Sequence, residues 1–465
     1  MSLKAPGTGF FRFGLTLGTA REYHANIMND KLGTPRRDFL KLSGAAALTT
    51  SLFTGRVKGA NDRISAGFIG MGKMGRSNLS VAMKQENLVP VAVCDVFQRN
   101  LDWAVKIGKD QAKPFRDFRE VLADKSIDVI CVSTPDHWHA YMTVEACKAG
   151  KDVYVEKPIC VAVDEGVKMV AAARKYNRVV QAGTMQRSAK HFQKAVEIVK
   201  NGDLGQITFV RTWNYGLEPE EGYGNPPDTD PPSTLDWDMW LGPAPDHAFN
   251  ANRFGVDPKD RYYSTFRWFW DYAGGMMTDW GVHWLDIVQM AFKEEMPTEI
   301  GAQGGKFYFK DNTETPDTLQ VTYTYPSGFI ATYERRAANG QSMFEHGGGI
   351  LFCGTKATMF LDRGGYKVVP EKMKGTPLMA EAEGKAGDSG NANHWANFLD
   401  CVKTRQKPIS DIEVCNRSTA TCLLGNVAYR SKLKLDFDQA SWTTKQTDAQ
   451  PLLHREYRKP WKLEV

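Results

Sequence analysis

The sequence lacks the features of a membrane-spanning, nucleic-acid-binding or disulfide-rich protein. Its 465 residues contain no run of about eighteen or more apolar residues, so we expect no transmembrane helix. The net charge is only +5, with no dominant basic tract, which argues against nucleic acid as a partner. None of the eight cysteines sits in a CxxC pair, so we predict buried free thiols. The remaining composition is that of a globular protein.

A glycine-rich loop follows the first predicted strand. Ile64–Ile69 forms a short apolar run, and the sequence Gly70-Met71-Gly72-Lys73-Met74-Gly75 then opens a predicted helix. In this spacing Gly70 permits the tight turn, Gly72 lets the backbone approach a pyrophosphate, and Gly75 lets helix and strand pack closely. The helix N-terminus offers unpaired N–H groups to phosphate. The pattern predicts a dinucleotide site.

An acidic residue ends the second predicted strand. Val91–Cys94 is apolar and leads into Asp95, whose carboxylate can accept hydrogen bonds from the adenosine ribose hydroxyls. A carboxylate at this place repels a 2′-phosphate, so NAD is favoured over NADP. Arg99 lies nearby and could soften that preference, which leaves NADP open.

Strand and helix patterns then alternate as far as residue 185. Predicted strands at Ile127–Ser133, Asp152–Val155 and Val179–Ala182 are separated by helices and short links, which indicates a parallel, doubly wound α/β sheet. Two polar loops, Thr134–His139 and Glu156–Pro158, follow strands at the carboxyl edge, where such sheets bind ligands.

The second half has the composition of an antiparallel sheet. Five segments rich in β-branched and aromatic residues are predicted as strands: Gln206–Tyr215, Glu299–Phe309, Thr318–Tyr325, Gly328–Arg336 and Ile350–Leu361. We predict three parts: a leader at 1–60, a Rossmann domain at 61–185, and an α+β domain with a large, mostly antiparallel open sheet at 186–465.

Five motifs together resemble the glucose–fructose oxidoreductase / inositol dehydrogenase / MocA family. They are GFIGMGKMG (67–75), the acid at 95, STPDHWHA (133–140), VEKP (155–158) and GGMMTDWGVHWLD (274–286). The resemblance covers nearly all of the chain from Arg63 onwards. It implies an NAD(P)-dependent enzyme acting on a small carbohydrate, and a homo-oligomer, dimer or tetramer, formed through the free face of the second sheet.

The resemblance also implies catalytic roles for Lys157, Asp279 and His283 around the reacting carbinol. A neutral imidazole at His283 could take the hydroxyl proton, and Lys157 could stabilise the developing alkoxide. Asp279 is one helical turn before His283 and could orient the ring or bind the substrate. The alternative is a structural i,i+4 pair and a solvated lysine.

We predict that the cofactor contacts the glycine loop, the strand ends and their neighbours: Gly70, Met71, Gly72, Met74, Gly75, Asp95, Arg99, Thr134, Pro135, His139, Glu156, Lys157 and Gln186. His137 and His139 have the spacing of a metal pair, but no third ligand is in register, so we predict no metal site. Residues 216–272 form a long aromatic insertion including Trp237, Trp240, Trp268, Trp270 and Tyr272. These rings could stack on sugar C–H faces or bury one another.

The leader contains a candidate export signal. Arg36 and Arg37, followed by Phe39-Leu40-Lys41 and a weakly apolar stretch, resemble a twin-arginine signal. The alternative is an amphipathic surface helix with a basic start. The export route carries folded proteins, so it predicts a periplasmic or otherwise exported protein with a tightly bound cofactor. If the signal is not used, the protein is cytoplasmic.

Three functions follow from these observations. The first is a sugar or polyol oxidoreductase using NAD. The second is an NAD-dependent glycosidase or lyase that oxidises a sugar carbon transiently, with no net redox change. The third, a non-catalytic binding protein, is disfavoured by the complete set of Lys157, Asp279 and His283.

Overall fold

The computed structural model describes residues 63–109, 111–255 and 264–465. Arg36 and Arg37 of the candidate export signal lie outside the described residues, and the signal stays a prediction. Across the part of the chain that is described, no helix combines the length and the apolar character needed to cross a membrane.

The first half folds around a six-stranded sheet. Its strands are β1 (Ile64–Ile69), β2 (Leu88–Cys94), β3 (Lys113–Phe115), β4 (Val129–Val132), β5 (Asp152–Val155) and β6 (Val180–Ala182). All are parallel, in the order β3-β2-β1-β4-β5-β6. All four residues of β4 are buried, as expected for a parallel strand covered on both faces. The predicted doubly wound Rossmann fold is confirmed.

Helices flank this sheet. They are α1 (Lys73–Ala82), α2 (Gln98–Ile107), α3 (Phe118–Ala123), α4 (His139–Lys148), α5 (Val163–Lys175) and, leading to the second half, α6 (Lys190–Lys200). The strand order reverses between β1 and β4, and the loops after these two strands meet at the carboxyl edge. Ligands bind at this switch point in open α/β sheets.

The second half contains a ten-stranded mixed sheet. Its strands are β7 (Ile207–Tyr215), β8 (Glu299–Gly305), β9 (Thr318–Tyr325), β10 (Phe329–Arg336), β11 (Gly348–Gly354), β12 (Ala357–Asp362), β13 (Gly365–Pro370), β16 (Ala382–Lys385), β17 (Leu435–Asp438) and β18 (Thr443–Thr444). A separate two-stranded sheet pairs β14 (Lys372–Met373) with β15 (Thr376–Pro377). The predicted antiparallel character is confirmed, except that β7 and β10 run parallel.

The helices of this half are α7 (Trp237–Leu241), α8 (Ala251–Phe254), α9 (Gly275–Asp279), α10 (Gly281–Ala291), α11 (Asn391–Thr404) and α12 (Ile412–Ser431). Alternate residues of β9, from Leu319 to Tyr325, are buried, with Gln320 and Thr322 on the exposed face. The buried face packs against α12 in the main core.

Late segments of the chain return to the first sheet. In α11, Trp395 stacks on Tyr154 of β5 at 4.4 Å between ring centroids, and its Nε1 donates to Asn78 of α1. Residues 454–461, which we call the strap, lie along the first half. Trp461 of the strap packs on Trp138, with ring centroids 4.9 Å apart. Residues far apart in sequence therefore complete the Rossmann half.

Three predicted elements differ in the structure. Ile350–Leu361 is not one strand, because residues 355–356 form a turn between β11 and β12. The strand beginning at Glu299 ends at Gly305 rather than at Phe309. Asp279 and His283 do not share one helix, because α9 ends at Asp279 and α10 begins after Trp280.

Candidate active site

The glycine-rich loop joins β1 to α1 at the switch point. Gly70 has a φ of +85°, and a Cβ there would lie 2.5 Å from the backbone nitrogen of Thr134. A Cβ on Gly75 would lie 1.9 Å from the carbonyl oxygen of Gly70. Only glycine fits at both positions. The N-terminus of α1, which begins after Gly72, therefore stays open to a phosphate group.

A cleft of about 950 Å³ opens beside this loop, and we call it the strand-end cleft. Nine of the predicted cofactor-binding residues line it: Gly70, Gly72, Met74, Asp95, Thr134, Pro135, His139, Glu156 and Lys157. The loops after β1, β2, β4 and β5 thus converge as the sequence predicted.

Four predicted cofactor-binding residues lie outside the lining of this cleft: Met71, Gly75, Arg99 and Gln186. The side chain of Met71 is buried, and its backbone N–H donates to Asp95. Gly75 lies beneath the loop. The guanidinium of Arg99 is 5.0 Å from the ring of Phe97 and 4.8 Å from that of Trp103, so it packs on aromatic rings beside α2.

Asp95 ends β2 and holds the glycine loop in place. Its carboxylate accepts hydrogen bonds from the backbone nitrogens of Met71 (2.6 Å) and Phe97 (2.8 Å) and from the side chain of Asn100 (3.2 Å). Burial raises its pKa, and these hydrogen bonds oppose the shift. An ionised carboxylate has about four acceptor positions, so capacity for a ribose hydroxyl remains.

Lys157 connects the first half to the second. Its Nζ donates to Oδ1 and to the backbone oxygen of Asp279, each at 2.8 Å. The Nε of Arg267 donates to the same Oδ1 at 3.0 Å. Burial by itself would raise the pKa of Asp279, but the charges of Lys157 and Arg267 outweigh it and hold that pKa well below its usual value. Two cations against one carboxylate leave an excess positive charge.

His283 lies on α10 with 4% of its surface exposed. Burial lowers its pKa well below the usual range, and the charges of Lys157 and Arg363 lower it further. The imidazole is therefore neutral, and its Nδ1 has no hydrogen-bond partner within the described ranges. The Asp279 carboxylate accepts hydrogen bonds from Lys157 and Arg267, and none of the described hydrogen bonds joins this carboxylate to the His283 ring.

Gln186 contacts His283 and Arg363 rather than the strand-end cleft. Its Nε2 donates to the backbone oxygen of His283 at 3.2 Å, and its Oε1 accepts from Nε of Arg363 at 3.2 Å. The guanidinium of Arg363 lies 4.5 Å from the ring centroid of Trp280. In this structure Gln186 supports His283 and Arg363.

Three residues of the site were not predicted from the sequence: Asp136, Arg267 and Arg363. Asp136 is 2% exposed, lines the strand-end cleft, and has no partner for Oδ2 among the described residues. Burial raises its pKa to about 7, against the charges of Arg267 and Lys157. Asp136 lies inside the predicted strand-end loop Thr134–His139, so its position in the sequence could have indicated that it belongs to the site. Arg267 was a lone cation between aromatic residues, and nothing in the sequence pointed to Arg363.

A second cavity of about 700 Å³ lies beside Trp280, which separates Asp279 from His283 in the chain. We call it the tryptophan pocket, lined by Asn214, Tyr215, Met276, Trp280, Trp284, Arg335, Gly347, Gly348, Asp362 and Arg363. The rings of Trp280 and His283 are 5.6 Å apart. Lys157 therefore faces the strand-end cleft, and Trp280, which lies between Asp279 and His283 in the chain, lines the tryptophan pocket.

The aromatic insertion packs mainly on itself. Trp237 stacks on Trp240 at 4.7 Å, and Trp240 meets Tyr272 edge-on at 4.9 Å, within one buried cluster. Trp240 also lines the strand-end cleft, as do Phe266 and Arg267. For these rings mutual burial is the observed role, and the insertion forms one wall of the cleft.

The two histidines of the Thr134–His139 loop bind backbone oxygens. The Nε2 of His137 is 3.1 Å from the oxygen of Trp240, and the ring of His139 contacts the oxygens of Pro158 and Thr134 at 2.6 and 2.9 Å. In the described residues, no group of three or more His, Cys, Asp or Glu side chains is arranged to hold a metal ion.

Comparison with family models gives two matches. Residues 64–184 match an oxidoreductase family model described as an NAD-binding Rossmann fold. Residues 206–463 match the model described as the C-terminal alpha/beta domain of that oxidoreductase family, Gfo/Idh/MocA. The second match alone spans more than half of the chain.

Similar curated proteins differ in their activities. The Bacillus subtilis oxidoreductase YrbE is 25% identical over 303 residues, which cover 64% of this chain and 74% of that protein. Inositol 2-dehydrogenase of Salmonella typhimurium is 28% identical over 165 residues, covering 35% and 49%. A glycosyl hydrolase family 109 protein of Shewanella baltica is 27% identical over 203 residues, covering 37% and 44%. The matches thus span less than half of the last two proteins.

Solved structures share the fold. The WlbA dehydrogenase of Bordetella pertussis, in complex with NADH and UDP-GlcNAcA, superposes with a TM-score of 0.60 at 19% identity, covering 81% of this chain and 99% of that one. An aldose-aldose oxidoreductase of Caulobacter crescentus gives 0.60 at 17% identity, covering 81% and 100%.

Proposed function

The chain belongs to the Gfo/Idh/MocA family of NAD-binding oxidoreductases, and on that premise we propose that it oxidises or reduces a carbinol carbon of a sugar, polyol or sugar derivative, using a tightly held nicotinamide dinucleotide. The observation that carries the proposal is that Lys157, which contacts Asp279, lines one cavity, and that Trp280, which lies between Asp279 and His283 in the chain, lines a second. One cavity has the glycine loop of a dinucleotide site, and the other offers room for a second reactant.

The residues of the strand-end cleft fit a dinucleotide. A side chain at Gly70 or Gly75 would collide with backbone, so the loop keeps the open cradle that a pyrophosphate needs. The carboxylate of Asp95 retains acceptor capacity for a ribose hydroxyl and disfavours a 2′-phosphate, which supports NAD. When bound, the nicotinamide ring would accept or return a hydrogen with its two electrons.

The protein's own groups would handle the proton. In the oxidising direction the neutral imidazole of His283 takes the proton of the substrate hydroxyl as the C–H bond breaks. Lys157, fixed by two hydrogen bonds to Asp279, places positive charge beside the oxygen as it becomes an alkoxide. Because burial and the neighbouring cations disfavour the imidazolium, His283 then passes the proton on to solvent or product.

The direct test is reduction of the nicotinamide by candidate sugars. The purified full chain is mixed with a panel of sugars and polyols, and the absorbance of reduced nicotinamide is followed. We expect at least one sugar to reduce the cofactor and expect Lys157→Ala to abolish the signal. A panel in which no sugar of any kind reduces the cofactor would refute the proposed oxidoreductase.

A second candidate is a glycosidase or lyase that uses the nicotinamide only transiently. The similarity to the glycosyl hydrolase family 109 protein favours it. Oxidation of a ring carbon acidifies the neighbouring C–H, so a base can take that proton while the glycosidic leaving group departs and a C=C bond forms. In a glycosidase water would then add to this double bond, in a lyase it would not, and in both the oxidised ring carbon is reduced again. The base for that step would be Asp136, which lines the cleft and titrates near neutral pH.

Product analysis separates the two candidates. Cleavage of a glycoside without added NAD and without accumulation of NADH would select the glycosidase or lyase. Production of NADH in proportion to oxidised sugar would select the dehydrogenase. The assay uses catalytic amounts of enzyme, so that a stoichiometric reaction of the bound cofactor is not mistaken for turnover.

We also propose export through the twin-arginine route with the cofactor bound before export. The support is Arg36-Arg37 and the apolar stretch after it. Replacing both arginines by lysine should leave the protein in the cytoplasm of a twin-arginine-competent host, as measured by cell fractionation. Equal export of the wild type and the variant would refute this part.

A further inference from the structure

The tryptophan pocket contains an arginine, Arg363, that forms no ion pair with a carboxylate of the described residues. Arg335 is paired with Glu218, and the carboxylate of Asp362 lies 2.8 Å from Nδ1 of His346. No carboxylate of the described residues lies within ion-pair distance of Arg363. Its guanidinium is exposed on the wall of the pocket, next to His283. An arginine stays charged in proteins, so the wall of the pocket presents a cationic guanidinium that no described carboxylate pairs with.

The orientation of Arg363 is fixed by two neighbours. Its Nε donates to Oε1 of Gln186 at 3.2 Å, and the flat guanidinium stacks over the ring of Trp280 at 4.5 Å. These contacts occupy Nε and one face. The two terminal nitrogens remain available, and together they can bind a carboxylate or phosphate through two parallel hydrogen bonds.

The aromatic residues of the pocket would hold the rest of the ligand. Trp280 and Trp284 lie 5.5 Å apart at an interplanar angle of 35°. The Nε1 of Trp284 donates to Asn214, so this indole is held by a hydrogen bond. The face of an indole ring can stack against the C–H face of a sugar ring. The position of an anion at Arg363 would set which carbon of such a ring lies against His283.

We propose that the tryptophan pocket binds an acidic sugar, with a carboxylate or phosphate held by the terminal nitrogens of Arg363. The inference rests on the proposed function and names the substrate class of the same site. The carboxylate is the planar match to the guanidinium fork, so uronic and aldonic acids are the expected members, and sugar phosphates share the anionic chemistry.

The test compares matched sugars that differ only in charge. Isothermal titration calorimetry with the full chain measures binding of glucose, glucuronate and glucose 6-phosphate, and of the corresponding galactose and mannose series. Within at least one series we expect an acidic member to bind roughly 30-fold more tightly than the neutral one. Tighter binding of the uronate selects the carboxylate, and tighter binding of the phosphate ester selects the phosphate.

Variants locate the anion. Arg363→Gln should remove most of the preference for the acidic sugar over the neutral one, and Arg363→Lys should restore part of that preference because charge is retained without the fork. Arg430→Gln is the matched control, since Arg430 also stacks on an indole, that of Trp270 at 5.0 Å, and lines neither cavity.

Two results would overturn the inference. One is equal or weaker binding of the acidic sugars in every series, including the absence of any binding by them. The other is an acid preference that Arg363→Gln leaves unchanged. Both are read from binding alone. Failure of the oxidoreductase proposal is instead read from the nicotinamide signal, so each idea can fail without the other.

Discussion

At the scale of single residues, the ionised state of Asp279 depends on its two cationic neighbours. Burial opposes the charge on Asp279, and Lys157 and Arg267 compensate for it. The identities of Lys157, Asp279 and His283 were predictable because the surrounding motifs resemble a known family. Arg267 and Arg363 were not, since Arg267 stands among the aromatic residues of the insertion and Arg363 follows β12, and only the tertiary structure brings them to the site.

Lys157→Ala should reduce turnover by roughly 100-fold or more, because the charge beside the developing alkoxide is lost. Dinucleotide affinity should change little, since the glycine loop and Asp95 remain. The check is kcat against the best sugar together with a fluorescence titration of the cofactor. Lys168→Ala, which removes a surface lysine paired with Asp164, is the control. Full activity in Lys157→Ala would remove the lysine from the mechanism.

Asp136 should make stability depend on pH. Its pKa is about 7 in the folded protein, above that of an unfolded aspartate, so the folded state binds more protons between about pH 4 and 7. Its contribution is therefore fully present below about pH 4, falls between about pH 4 and 7, and is lost above pH 7. Asp136→Asn, neutral at every pH, should match the wild type most closely in thermal midpoint near pH 4 and exceed it increasingly up to about pH 7. A constant difference between the two would contradict the assignment.

At the scale of elements, the strands of the first sheet were predictable because parallel strands buried on both faces appear as continuous apolar runs. β3 was missed, since it has only three residues and contains Pro114. The break between α9 and α10 was also missed, because the apolar periodicity continues through Trp280. The consequence for the site is that Asp279 and His283 belong to different helices and reach different neighbours.

Gly75→Ala tests the packing of the glycine loop on α1. Alanine usually stabilises a helix relative to glycine, but here its Cβ would lie 1.9 Å from the oxygen of Gly70. We expect a displaced loop and at least a 10-fold loss of dinucleotide affinity by fluorescence titration. Gly387→Ala is the control, since a Cβ there meets nothing within 4 Å. Equal affinities for the two variants would show that the loop tolerates the contact.

At the scale of the whole molecule, the two halves share their cores. Trp395 of α11 stacks on Tyr154, and through Asn78 it connects to Glu156, which accepts from Asn78 at 2.8 Å. This contact was not predictable, because a helix alone does not indicate which distant sheet it covers. The division at residue 185 stays a prediction about sequence segments, and the oligomer formed through the free sheet face likewise stays a prediction.

The strap should stabilise both the fold and the strand-end cleft. Trp461 is 9% exposed and packs on Trp138, a residue of the cleft wall. Trp461→Ala should cost about 3 kcal/mol of stability and speed the loss of bound dinucleotide during gel filtration. The measurements are the thermal midpoint and the cofactor content of the eluted protein. Trp442→Ala, which removes a ring packed on Phe437, is the comparison. Unchanged cofactor retention in Trp461→Ala would confine the strap to a stabilising role.

The strap also has a consequence for biosynthesis. Arg455 of the strap hydrogen-bonds to the backbone oxygen of His137, 318 residues earlier in the chain. A ribosome making this protein releases the glycine loop and the strands around it long before it polymerises the residues that close over them. A nascent chain can therefore form the parallel sheet during translation, but the strap can close over that sheet only after residue 461 has left the exit tunnel.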